Sequence, residues 1–225
     1  MISIRCVDVL CVALGCAALG SAVVLAADYD YGSALVTEIS YAQLKPEDVL
    51  DANDEVASKA GDWIELFNPS ATESIDISGW FFADRSTKWL RKERDAKRLA
   101  KHVFKIPAST TPLEPKSFAI LARDEMQFRK AYADREVAIK ALIRGSFRFG
   151  LSGKGETLSL IDATNSTIFE LEYDNKSPWP TVENDSSTLE IIDVRLDPND
   201  PYSWIASYKS GGTPGGVNSV ANAWR

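Results

Sequence analysis

An all-β sandwich or barrel is the fold class this sequence predicts, and three observations lead to it. From residue 33 onward, short runs of alternating apolar and polar residues recur along the chain. Clusters of Gly, Pro, Asn, Asp and Ser separate those runs at close intervals. Only two later segments, 84–102 and 124–142, space their apolar residues as a helix would. Many short strands, each with one apolar face, bury those faces by packing sheet against sheet.

The first 27 residues read as a secretory signal. Arg5 supplies a positive start, opposed by Asp8, and an apolar run rich in Ala, Val and Leu follows over 9–25. Small residues at Ala26 and Ala27 then precede the polar "DYDYG", so cleavage is expected after one of them. An uncleaved membrane anchor and lipidation at Cys16 in "ALGC" are the alternatives. Cys6, Cys11 and Cys16 all fall in this segment. A processed chain would therefore carry no disulfide, thiol nucleophile or cysteine metal site. No second apolar run of spanning length follows.

The strands come next. In "ALVTEISY" (34–41), alternation puts Leu35, Ile39 and Tyr41 on one side and Val36, Glu38 and Ser40 on the other. In "DWIELFN" (62–68), Ile64 and Leu66 share one face and Trp63, Glu65 and Phe67 the other. Asn68 and Pro69 close this run, because Pro offers no ladder donor. "IDIS" and "GWFFAD" flank Gly79, and "HVFKIP", "SFAILAR", "SFRFG", "ETLSLID", "TIFELEY" and "TLEIID" follow. "DATNS" (162–166) joins two of these as a hairpin turn.

Three segments break the pattern. Residues 42–60 hold five acids and two lysines with poor alternation, which reads as an acidic loop with a short helix at most. Residues 84–102 hold eight Lys or Arg against three acids. There Trp89, Ala96, Leu99, Ala100 and Val103 form one stripe, predicting a basic amphipathic helix. Residues 124–142 predict a helix capped by Asp124, with Met126, Phe128 and Tyr132 facing the sandwich.

The chain has 225 residues, 45% of them apolar, and a net charge of −7. That suits one ordinary globular domain with appendages, and it excludes attraction of the whole surface to nucleic acid or anionic membrane. A local basic patch remains open, and 84–102 is one.

The order "LVTEISY", "DWIELFNPSATESIDISGWFF", "FKIPASTTPLEPKSFAILARD", "FGLSGKGETLSLIDATNSTIFELEY", "SPWP", "TLEIID" and "NDPYSWIASYKSGGTPGGVNS" resembles a lamin tail domain, particularly the exported bacterial form. The likeness runs over 33–219, leaving 220–225 as a short tail. It implies an immunoglobulin-like β-sandwich without a common catalytic centre. Bacterial members are similar to accessory modules found with secreted or membrane-associated hydrolases and nucleases. In animals the domain forms the globular tail of nuclear lamins and binds proteins and, weakly, DNA. The insertions 42–60 and 84–102 depart from the compact family pattern, so the resemblance says nothing about them.

Candidate chemistry is sparse. His102 is the single histidine and ends the basic segment, which suits a surface role better than catalysis. "GLSGKGET" (150–157) lacks full Walker spacing and precedes strands, so it reads as a tight turn. Glu38 and Glu65 form the best carboxylate pair, projecting to one side if their strands are neighbours. Two bare carboxylates repel, so a proton, a cation or an arginine must intervene, and Arg123 is the candidate. A glycosidase would need that pair to flank a sugar cleft, and nothing else supports one. Asp193, Asp197, Asn199 and Asp200 form a weak calcium candidate that is already a good turn on local hydrogen bonds.

Lys88, Arg91, Lys92, Arg94, Lys97, Arg98 and Lys101 are the best binding candidates, for nucleic acid, acidic polysaccharide or an acidic protein. The plain alternative is a solvated helix facing the acidic 42–60 segment. The sequence thus predicts an exported, non-catalytic binding or scaffolding module needing no cofactor. Its partner would be another protein, an envelope component or an acidic polymer, at the cell envelope or outside the cell.

Overall fold

Residues 33–41, 61–136, 138, 141–182 and 187–221 are described in the computed structural model. The chain divides into two units, 1–30 and 31–225, and every described residue belongs to the second. Residues 1–27 with their three cysteines, expected to be a signal, the acidic 42–60 segment and residues 222–225 lie outside the described residues.

Ten strands among the described residues form two sheets. They are β1 Leu35–Ser40, β2 Trp63–Phe67, β3 Phe81–Ala83, β4 Val103–Lys105 and β5 Phe118–Ala122, then β6 Leu142–Ser146, β7 Gly155–Ile161, β8 Thr167–Asp174, β9 Leu189–Ile191 and β10 Trp204–Ala206. The larger sheet runs β10-β9-β1-β2-β5-β6 and the smaller β4-β3-β7-β8. Every pairing is antiparallel except β5 with β6. Two parallel neighbours need a crossover, and here it carries the helix Glu125–Ala131.

The sheets pack as a sandwich. Ile39, Ile64, Leu66 and Leu121 of the larger sheet meet Phe82, Leu158, Leu160 and Leu171 of the smaller in one buried cluster. A second cluster covers the outer face of the larger sheet, where Trp63, Ile120 and Ala122 pack against Phe128 and Tyr132. Edge-on contacts set those aromatics, with Trp63 5.8 Å from Phe128 and 6.1 Å from Tyr132 between ring centroids. The larger sheet is therefore buried on both sides, which is why a run such as "WIELF" has almost no exposed residue.

Several expectations shift. A register break between Val36 and Glu38 places a bulge at Thr37. The bulge resets the alternation, so Val36 rather than Leu35 joins Ile39 and Tyr41 in the core. "IDIS" contributes one bridge, Ile75 to Leu113, instead of a strand. The strand expected at "SFRFG" lies earlier, at Leu142–Ser146. Asp124 does cap its helix, accepting from the Met126 and Gln127 amides at 3.0 Å each. Phe128 and Tyr132 face the sheet as expected, whereas Met126 is 79% exposed. The "DATNS" turn closes on Asp162, whose Oδ1 accepts from the amides of Thr164 and Ser166 at 2.8 Å. Asn68 ends β2 differently from a simple Pro stop. Its buried Nδ2 donates to the carbonyls of Glu73 and Leu113, at 2.8 and 2.9 Å, and its Oδ1 accepts from the Ser70 amide at 3.0 Å.

Candidate functional site

Residues 84–102 leave the smaller sheet between β3 and β4, which pair through Ala83 and Val103. They are the excursion of a hairpin, and its base is fastened. Asp84, 5% exposed, receives His102 Nδ1 at 2.8 Å, and the Asp84 amide donates to the His102 carbonyl at 3.3 Å. Burial pushes the Asp84 carboxyl up, and the neighbouring Arg85 and His102 pull it back.

The single amphipathic helix predicted here is two short ones, α1 Thr87–Lys92 and α2 Ala96–Leu99. The break is chemical. Glu93 Oε1 accepts from the amides of Arg94 and Asp95 at 2.9 Å each, and Asp95 then caps α2 through the Lys97 and Arg98 amides. Such local bonds compete with helix continuation. Val103 consequently lies on β4, and Ala96 and Ala100 are exposed. Trp89 holds the two turns together, edge-on to His102 at 5.4 Å and between the guanidinium groups of Arg85 and Arg98, at 5.9 and 5.7 Å. Glu170 of β8 accepts the Thr87 amide at 2.7 Å and seats α1 on the sheet.

This base leaves the cations outward. Lys88, Arg91, Lys92, Arg94, Lys97, Arg98 and Lys101 are all exposed, and Arg98 pairs with Glu93 at 3.1 Å.

The second arrangement lies on the outer face of the larger sheet. Glu38 stands opposite Glu65 on β2 and opposite Glu190 on β9. All three have no exposed surface. Their oxygens are occupied by hydroxyls of the sheet and by the C-terminal segment 211–220. Glu65 accepts from Thr37 Oγ1 and the Gly215 amide, both at 2.7 Å. Glu190 accepts from Thr213 Oγ1 at 2.7 Å, Ser219 Oγ at 2.8 Å and the Val220 amide at 3.1 Å. Glu38 accepts from Thr188 Oγ1 and from the Thr213 amide at 3.0 Å. Tyr132 OH donates to the Gly211 carbonyl at 2.6 Å, and Arg135 donates to the carbonyls of Ser210 and Gly212 at 2.7 and 2.9 Å. Carboxylates thus fasten a glycine-rich strap across three strands.

Burial raises the Glu65 carboxyl to about 8, against the hydrogen bonds from Thr37 and Gly215. Burial, then the charges of Glu65 and Glu190, holds Glu38 well above the usual carboxylate range. Arg123 does not reach them. Its guanidinium lies 3.4 Å from Asp62, whose carboxylate also accepts the Leu151 amide at 2.8 Å. The strap covers the glutamates, so no sugar contacts either proposed catalytic carboxylate while it is in place.

The other candidates resolve locally. Asp193 pairs with Arg195, Asp197 accepts the Asn199 amide at 2.9 Å, and Asp200 caps the short 3-10 turn Pro201–Ser203. Among the described residues no group of three His, Cys, Asp or Glu is placed to hold a metal ion. Among them too, no helix is long and apolar enough to cross a membrane. "GLSGKGET" turns at Gly155, with φ of +98°, where a Cβ would strike the Tyr173 carbonyl.

Glu190 is the site residue that sequence reasoning missed. Its signal was a repeat: "TEI", "IEL" and "LEI" each put a glutamate beside apolar residues in a strand. Nothing in that repeat shows that the three strands are adjacent.

Neither curated proteins nor solved structures give a match to this chain. The pattern of the Lamin Tail Domain matches residues 31–175, and β9 and β10 beyond that stretch complete the larger sheet. A two-sheet sandwich whose first two strands carry "TEIS" and "WIELF", matched over well more than half its length, places this chain in the lamin tail domain family.

Proposed function

We propose that this chain is an exported, non-catalytic module that binds an acidic polymer or acidic protein through its 84–102 excursion. One observation carries the reading: seven cations project from a single hairpin excursion, all exposed, on a chain whose net charge is −7. The fastened base, through Asp84, His102, Trp89 and Glu170, presents them on a built platform rather than a loose loop. Four of the eight basic side chains in the segment are arginines, which suit phosphate, sulfate and carboxylate through paired donors. Export rests on the apolar 9–25 run and the small residues that end it. The envelope or the cell exterior is then where such a partner is met.

Binding to heparin and to DNA across a salt series tests this reading. Four phosphate or sulfate contacts predict a loss of about 10²-fold between about 50 and 200 mM salt. Changing Lys92, Arg94, Lys97 and Lys101 together to Ala should remove most of that dependence. Binding that hardly responds to salt, or survives the quadruple change, refutes it.

A further inference from the structure

Thr213 Oγ1 has one hydrogen and two carboxyl neighbours. It lies 2.7 Å from Glu190 Oε1 and 3.3 Å from Glu38 Oε2. The shorter contact takes the hydrogen. Glu38 Oε2 would then face Thr213 Oγ1 acceptor to acceptor, with only the longer, 3.2 Å branch of the Thr213 amide to offset it, in a site with no exposed carboxylate surface. A hydrogen on Glu38 Oε2 resolves this, giving a continuous relay from Glu38 through the Thr213 hydroxyl to Glu190. The other Glu38 oxygen remains free to accept from Thr188 Oγ1 and the Thr213 amide.

We propose that Glu38 is stored as the neutral acid, and that its proton locks the strap 211–220 onto the larger sheet. Loss of the proton breaks the relay at Thr213 and puts an added negative charge beside Glu65 and Glu190 under the strap. The strap then lifts and uncovers the outer face around Trp63 and Tyr132, both fully buried with it closed.

The groups facing Glu38 support this assignment. Glu65 comes from β2 and Glu190 from β9. Tyr132 follows the helix Glu125–Ala131, and its hydroxyl is held above its ordinary range by burial and then by Glu38. Arg135 is turned onto the Ser210 and Gly212 carbonyls. Among the described residues, no ion pair joins a cation to any of the three glutamates. Gly212 closes the seat: a Cβ there would overlap the Glu38 carboxyl and Thr188.

Hydrogen exchange of the Thr213, Gly215 and Val220 amides in the full chain, from about pH 6 to about pH 10, reads the strap directly. After correction for intrinsic chemistry, the open population should rise by about tenfold per pH unit for each strap-facing acid that is ionised with the strap open and still protonated with it closed, and level off above the closed-state titration. In a Glu65→Gln background, where the other acid that holds the Gly215 amide no longer titrates, adding Glu38→Gln, whose amide can donate to Thr213 as the acid does, should keep the three amides protected throughout. A flat wild-type profile, or a Glu38→Gln strap already open near neutrality, overturns the proposal. Infrared spectra of Glu65→Gln supply a readout that does not require the Glu38 variant to fold. A protonated-carboxyl stretch should be present near neutral pH in that background, and its absence there overturns the proposal as well.

Discussion

Glu65→Gln should flatten the pH dependence of stability, and the size of the change follows from the site. Glu65 has no exposed surface and titrates near 8, far above an ordinary glutamate, because burial penalises its charged form. The folded chain therefore keeps a proton that the unfolded chain has already released. The contribution is fully present below the unfolded value and is lost as pH rises toward 8. One retained proton is worth about 1.4 kcal/mol per pH unit, so from about pH 5.5 to 7.5 Glu65 alone removes about 2.7 kcal/mol. Glutamine has nearly the shape of the neutral acid, can still accept the Gly215 amide and has no charge to acquire. Chemical unfolding followed by tryptophan fluorescence at several pH values in that window would measure both slopes. Glu38 contributes to each, and because the Glu65 charge helps raise it, the difference between the slopes reads Glu65 together with its effect on Glu38. Asp193, whose carboxyl is held low chiefly by Arg195, acts in the opposite sense and only at more acidic pH. Parallel slopes for wild type and variant would refute the reasoning.

Two further outcomes test the packing. Gly212→Ala should cost about 2–5 kcal/mol, since its φ of +71° and the carboxyl above it both reject a Cβ. Gly153→Ala is its control: nothing lies within 4 Å of the added carbon, and thermal unfolding should shift by no more than about 0.5 kcal/mol equivalent. Asn68→Ala should cost about 2–4 kcal/mol by leaving the Glu73 and Leu113 carbonyls and the Ser70 amide without that side chain. A denaturation midpoint unchanged from wild type would show that the β2 exit does not depend on these bonds.

The sandwich was legible because strand signals are local. "WIELF", "ETLSLI" and "TIFELEY" declare themselves by period and turn residues, and most of their boundaries moved by a residue or so. Errors gathered where a short-range competitor intervened. Glu93 and Asp95 capture amides that a continuous helix over 84–102 would have used. The Thr37 bulge moves Val36 into the core, although strict alternation assigns it outward. Arg123 suited Glu38 and Glu65 in charge, yet its guanidinium lies at Asp62, at the mouth of β2.

The seven cations and the glutamates of the first two strands were present in the sequence with their chemistry intact. What composition and spacing determined by themselves was the class of fold and a basic segment set against an acidic chain, while the order of the motifs carried the resemblance to the family. Only the tertiary structure brought Glu190 from about 150 residues away to stand across from Glu38, and laid 211–220 over both. The physical reason is that a strand's period reports which face a side chain takes, while strand order reports which side chains meet. Order is a property of the whole sheet, and it turned three separate glutamates into one buried cluster with a strap above it.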